Sequence, residues 1–191
     1  MRFLMTKDRL YVGVRGKAAG WAHLIVQDGR RIRVLHASNA LGEVAYESPK
    51  EKAWSLTGKF QWEVSGPIQP RLLPRLLDEY LKKHGWTATN NNAGRPTDIE
   101  FEIDLAAMSR PKSLRIVVVY STNDVSVPLS VWPPATKDDA VNRELMNGTP
   151  PEKAELEPDK WGLLKLAPDK PGSAATSRPS RSGTSRPPSK K

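Results

Sequence analysis

Trp21-Ala-His-Leu-Ile-Val-Gln27, then Asp28-Gly29, then Arg30-Arg-Ile-Arg-Val-Leu-His36 is the stretch on which the fold turns. Two segments with apolar alternation flank an Asp-Gly pair, and that dipeptide favours a two-residue hairpin turn in which both central residues take positive φ. With Asp28-Gly29 as the turn, counting outward predicts the register: Gln27 faces Arg30, Ile25 faces Ile32, His23 faces Val34 and Trp21 faces His36.

Neighbouring segments repeat the period of two. Phe3–Thr6 and Arg9–Arg15 flank Lys7-Asp8 and read as a second hairpin, with Leu10, Val12 and Val14 on one face. Val44–Glu47 is a further short strand. Trp54, Leu56, Phe60, Trp62 and Val64 share one parity, so 54–64 reads as a two-faced strand with a buried aromatic side, and Gly58 marks a bulge or bend. Ile99, Phe101, Ile103 and Leu105 alternate with Glu100, Glu102 and Asp104. Leu114–Tyr120 (LRIVVVY) is apolar and β-branched apart from Arg115, as expected for a central strand buried on both faces.

Only one segment has a strong helical period. Leu72, Leu73, Leu76, Leu77, Tyr80 and Leu81 recur at helical spacing, Pro74 fits a first turn, and Gly85 stops the run, which predicts a helix over Pro74–His84. Thr89–Pro96 reads as a turn-rich loop, Asp138-Asp139 opens a short helix ending near Asn147-Gly148, and Trp161–Leu166 is a last ordered segment. Seven or eight strands, one inserted amphipathic helix and no βαβ alternation predict a mainly antiparallel β-sandwich over residues 1–167, followed by a disordered basic tail over 168–191.

The charge is concentrated in that tail. The 191 residues include 30 Lys+Arg against 21 Asp+Glu, a formal net charge of +9. From Lys170 onward the chain holds six basic residues and no acidic one, leaving positions 1–169 at only +3. Such a tail, rich in Ser, Pro and Arg, lacks the apolar residues that offset the entropy of ordering. It offers a non-specific, salt-sensitive contact with polyanions, but no aromatic ring for stacking on bases.

Several chemistries are excluded by composition or spacing. Absence of cysteine removes disulfides, thiolate nucleophiles and Cys-ligated metal sites. The longest purely apolar run, Ile116–Tyr120, is five residues, against roughly 20 for a spanning helix. The first eight residues contain no signal-peptide apolar region. Gly13-Val-Arg-Gly16-Lys17 is not a phosphate loop, because Tyr11 and Ala18 stand where glycine and Ser/Thr are required. No cofactor motif is found. Glu100, Glu102 and Asp104 share one strand face at about 6.6 Å spacing. That spacing suits an inverting glycosidase pair, and equally the wet face of a half-buried strand. A calcium site on these carboxylates, or on Asp98, Asn123 and Asp124, has no ligand-loop spacing behind it.

Trp21, His23 and His36 form the main candidate constellation, on one face near the open end of the hairpin. An indole with imidazole edges can stack on the CH face of a sugar ring and bond its hydroxyls. Alternatively the histidines form half of a metal site whose other ligands are missing, or Trp21 caps the core edge and both histidines bond backbone.

Two stretches resemble the β-sandwich modules related to family 9 carbohydrate-binding modules and DOMON-type domains. Asp8-Arg-Leu-Tyr-Val-Gly-Val14 is similar to their early strand. Ile99–Met108, followed by Pro111–Ile116 and later Trp132-Pro133, is similar to their late strand–turn–strand pattern. The resemblance covers about a third of the chain and implies a non-catalytic ligand-binding sandwich, often extracytoplasmic. The helix around Leu76 departs from it as an insertion, and a middle acidic-Ser-Val-Glu signature is missing. Because such modules have a strand before this one, an additional N-terminal segment with an export signal is an expectation. The expected function is a binding module without catalysis, for carbohydrate, using Trp21, His23 and His36, with Trp86 and Trp132 as further candidates. The alternative is a structural or interaction domain whose tail contacts polyanions. An enzyme resting on the 100–104 carboxylates comes third.

Overall fold

A computed structural model describes residues 1–16, 18–48, 53–65, 68, 70–90, 98–108, 111–122, 124, 126–136 and 150–166. The helix expected near 138–147 and the tail expected over 168–191 lie outside the described residues.

Two antiparallel sheets pack face to face. The smaller runs β1 (Arg2–Met5), β2 (Arg9–Arg15), β9 (Asp98–Asp104), β8 (Trp86–Asn90). The larger is built on β10 (Ser113–Thr122), β3 (Gly20–Asp28), β4 (Arg31–Ala37) and β5 (Leu41–Glu47), in that order. One edge of β10 carries both β11 (Ser130–Trp132) and β13 (Gly162–Lys165). The far edge of β5 carries β6 (Trp54–Leu56) and β7 (Gln61–Glu63), with β12 (Lys153–Ala154) beyond β6. The single helix, α1 (Leu73–His84), has proline at its start and stops where Gly85 turns left-handed at φ 73°, its N–H bonding the Leu81 carbonyl.

Leu10, Val12, Ile99, Phe101 and Ile103 of the small sheet meet Leu24, Val26, Leu35, Ile116 and Val118 of the large one, as the period of two demands. The large sheet is buried on its other face too. Residues 150–166 fold back across it, placing Ala154, Leu156 and Trp161 on Ile25, Ile32, Tyr46 and Val117, with the Tyr46 hydroxyl donating to the Pro151 carbonyl at 3.1 Å. β10 is accordingly buried on both sides.

The central hairpin differs from its expected register by two residues. Gly29 alone takes positive φ, at 59°, while Asp28 stays in the strand opposite Arg31, so the turn is Gly29-Arg30 with glycine at its first central position. A slip of two preserves every face. It nevertheless changes partners: His23 stands opposite His36, and Trp21 lies diagonal to His36.

The expected continuous strand over 54–64 is broken. β6 pairs Leu56 with Tyr46, whereas β7 pairs Gln61 with Glu43, so two extra residues bulge out around Gly58. Trp54 is buried under the returning segment at 8% exposure, but Trp62, beyond the bulge, is 48% exposed. Sequence reading also left Trp86–Asn90 without a strand. It forms β8 because Gly85 reverses the chain straight from the helix onto β9.

Candidate functional site

The sites expected from sequence fall in three places. Trp21, His23 and His36 come together, by strand parity, on the outward face of the large sheet. Nδ1 of His36 and Nε2 of His23 are 2.8 Å apart, one donating to the other, with ring centroids 4.6 Å apart. Both histidines are buried, at 2% and 8% exposure, while Trp21 is half-buried.

Two further aromatic rings complete this cluster. Trp62 meets His36 edge-on at 4.9 Å, and Phe60 stacks on Trp62 at 4.9 Å with planes 21° apart. The indole lies over Gly42, its register partner; a Cβ there would fall 2.6 Å from the ring, so only glycine leaves room. The sequence signal for these rings was their shared parity with Trp54, which pointed to burial, whereas the bulge moves them to the uncovered end of the sheet. The far end of β7 is tied to the helix through Glu63, whose carboxylate accepts from Lys83 at 2.7 Å and His84 at 2.9 Å. These bonds hold the Glu63 carboxyl below the usual range. The result is an exposed indole stacked on the half-buried ring of Phe60, with two imidazoles beneath.

Trp86 lies elsewhere. It is fully buried between the sheets, edge-on to Tyr80 at 5.2 Å, and its Nε1 donates to Glu43 Oε2 at 2.7 Å. Glu43 also accepts two bonds from Arg33, at 2.7 and 2.8 Å, and Arg33 reaches the His84 carbonyl at 2.8 Å. Burial pushes the Glu43 carboxyl up, but Arg33 and the Trp86 N–H outweigh it and hold the group below its ordinary value. Trp86 is thus a pin between sheets and helix, with no face for a ligand. Trp132 lies on the inward side of the large sheet, opposite Val118 and 5.1 Å from Phe3. It lines a cleft of about 410 Å³ with Met1, Tyr120, Val127 and Pro128. A second cleft, about 520 Å³, opens between the first turns of α1 and the sandwich mouth, lined by Leu41, Val64, Leu73, Leu77 and Ala88.

Three carboxylates of β9, on Asp98, Glu102 and Asp104, are paired with arginines of β2, and Glu100 is exposed. Arg9 approaches Asp104 at 2.9 Å and Glu102 at 3.5 Å, and Arg15 pairs with Asp98 at 2.7 Å. This is an ion-paired outer face, and the acid/base reading gains nothing from it. Among the described residues no group of three or more His, Cys, Asp or Glu side chains is placed to hold a metal. Among the described residues no helix is long and apolar enough to cross a membrane.

Burial holds the His36 imidazole down to about 4, and burial together with its neighbour His36 holds His23 well below its ordinary value. The sign for stability follows. Above about pH 6.5 both rings are neutral folded and unfolded. As pH falls below that, the unfolded chain takes up protons that the folded chain refuses, so stability drops until the folded rings titrate. Each ring contributes up to about 1.4 kcal/mol per pH unit across that window. Urea midpoints should therefore fall steadily from pH 6.5 towards 4; a flat profile from pH 7 to 5 would count against the buried neutral pair.

Comparison with family models, curated proteins and solved structures finds no match to this chain.

Proposed function

We propose that the protein is a non-catalytic binding module for carbohydrate, with Phe60 and Trp62 as the stacking platform and Trp21 at its margin. The observation that carries the reading is an indole 48% exposed, stacked on a second ring and seated on a glycine that leaves it no competing side chain. A large aromatic surface held rigidly in water costs little entropy to use in binding, and its face suits the CH face of a pyranose. Gln61 is exposed but belongs to the opposite face of the strand, paired with inward-facing Glu43, so the proposed contact rests on the rings themselves. The resemblance of 8–14 and 99–116 to family 9 carbohydrate-binding and DOMON-type sandwiches supports the same class of function.

Trp62→Ala tests it. Against an immobilised panel of plant, fungal and bacterial polysaccharides, the variant should lose at least tenfold in affinity, about 1.4 kcal/mol. The variant should stay folded, because nearly half of the side chain is already in water. A folded Trp62→Ala protein with full affinity would remove the platform from the account. Salt separates the competing reading, an interaction domain with a sticky tail. Stacking on a sugar changes little between 50 and 500 mM salt, whereas contact between the Arg/Lys residues of 170–191 and a polyanion such as heparin weakens steeply.

A further inference from the structure

We propose that the His23–His36 pair is a proton-operated latch beneath the Phe60–Trp62 platform: acid drives the rings towards water and frees the Phe60 end of β7 from the sheet. It rests on the binding reading above only in its consequence, that ligand affinity falls in acid.

The geometry supplies each part. The two rings face one another at 2.8 Å, a separation that holds one shared hydrogen between two neutral imidazoles. A second proton places N–H against N–H and breaks the bond. A single proton instead makes a cation that needs either water or a counter-charge. Around the pair stand Trp21 and Ile25 on β3, Val34 on β4, Gly42 and Val44 on β5, Phe60 and Trp62 on β7, and Val119 and Ser121 on β10. Among these described neighbours none is charged, so within the described residues a buried imidazolium has no carboxylate beside it. The nearest titratable groups of the packed elements are Glu63 on β7 with its partners Lys83 and His84 on α1.

The weakest cover over the rings is the one that moves. β3, β4 and β10 are long strands inside a sheet, whereas β7 is three residues long, pairs with β5 alone among the described strands, and follows the bulge at Gly58. Glu63 remains ionised through mild acid because its carboxyl is held low, so its bonds to the helix keep the far end anchored. The hinge is therefore at Glu63, and the swinging part is Phe60 to Trp62. Opening also sets a floor to the acid loss of stability, since freeing three residues relieves the buried charge without unfolding the sandwich.

Hydrogen exchange of the full chain, followed by mass spectrometry at pH 7.5 and 5.0 and corrected for intrinsic rates, tests the latch without any ligand. Protection of the amides at 60–63 should fall at least tenfold while β3, β4 and β10 keep theirs. In the double variant His23→Gln/His36→Gln, which leaves no imidazole at the latch to take up a proton, the change at 60–63 should be less than threefold. Should that variant not fold, the acid titration of wild-type tryptophan fluorescence replaces it, with Trp62→Phe as the blank: a transition between pH 6 and 4 that disappears in the blank is expected. Constant relative protection at 60–63, an equal change in the double His→Gln variant, simultaneous opening of the whole sheet, or a fluorescence transition that survives in Trp62→Phe would each overturn the proposal. Because none of these readouts involves a sugar, failure of the latch leaves the platform standing. Loss of the platform on the polysaccharide panel likewise leaves the latch standing.

Discussion

Glu43→Ala should destabilise the protein by about 3–5 kcal/mol, the usual result of leaving one charge of a buried ion pair without its partner. Arg33 is 8% exposed and gives Glu43 two short hydrogen bonds; without the carboxylate its guanidinium keeps only the His84 carbonyl among these contacts. The Trp86 indole N–H loses its acceptor in the same step. For a chain of this length, each kcal/mol moves the melting point by about 2–4 °C, so a fall on the order of 10 °C should appear in calorimetry. Replacing both partners by Arg33→Met and Glu43→Leu should cost less than Glu43→Ala alone, because no orphaned charge remains. If the double variant is the worse of the two, the pair is supplying net stability that packing cannot replace.

Trp86→Ala should cost about 3–5 kcal/mol, in the range for a large aromatic deleted from a packed core. The ring is fully buried, and its contacts bridge the helix and both sheets: Tyr80 on the helix at 5.2 Å, Phe101 on β9 at 6.2 Å, and Glu43 on the opposite sheet. A cavity would open at the point where helix and both sheets meet. Trp62→Ala, by contrast, removes a side chain already half in water and should cost less, about 2 kcal/mol. Chemical denaturation of the two variants side by side checks the assignment of one tryptophan to scaffold and the other to surface. Similar losses in both would mean that Trp62 is held by the fold more tightly than its exposure indicates.

The contrast between these tryptophans shows what could be read from the chain and what could not. Strand parity is a local property, and it placed Leu10, Val12, Ile99, Phe101, Ile103 and the histidines on their correct faces without any knowledge of partners. The buried character of β10 was equally legible, since a run of β-branched residues with no polar member can only stand between two layers. Partner identity is not local. Asp28-Gly29 marks a turn, but whether Asp28 leaves the strand depends on Arg31 pairing with it, and that one choice decides whether Trp21 or His23 opposes His36. The platform was hidden for a related reason. Phe60 and Trp62 share parity with buried Trp54, and only the two-residue bulge and the limited reach of residues 150–166 leave them uncovered. Trp86 was a further candidate for the binding site. The left-handed turn at Gly85 in fact sends it inward, towards an acceptor that is distant in sequence.

The measurement that bears most directly on the central claim is a set of indole N–H resonances from the 15N-labelled full chain, recorded while polysaccharide fragments are added one class at a time. Six tryptophans give six reporters spread over both sheets. The account predicts that one sugar class shifts Trp62, with a smaller effect at Trp21, and leaves Trp86 and Trp161 unmoved in the core. Shifts confined to Trp132, or no response to any sugar alongside a heparin response abolished by salt, would contradict it.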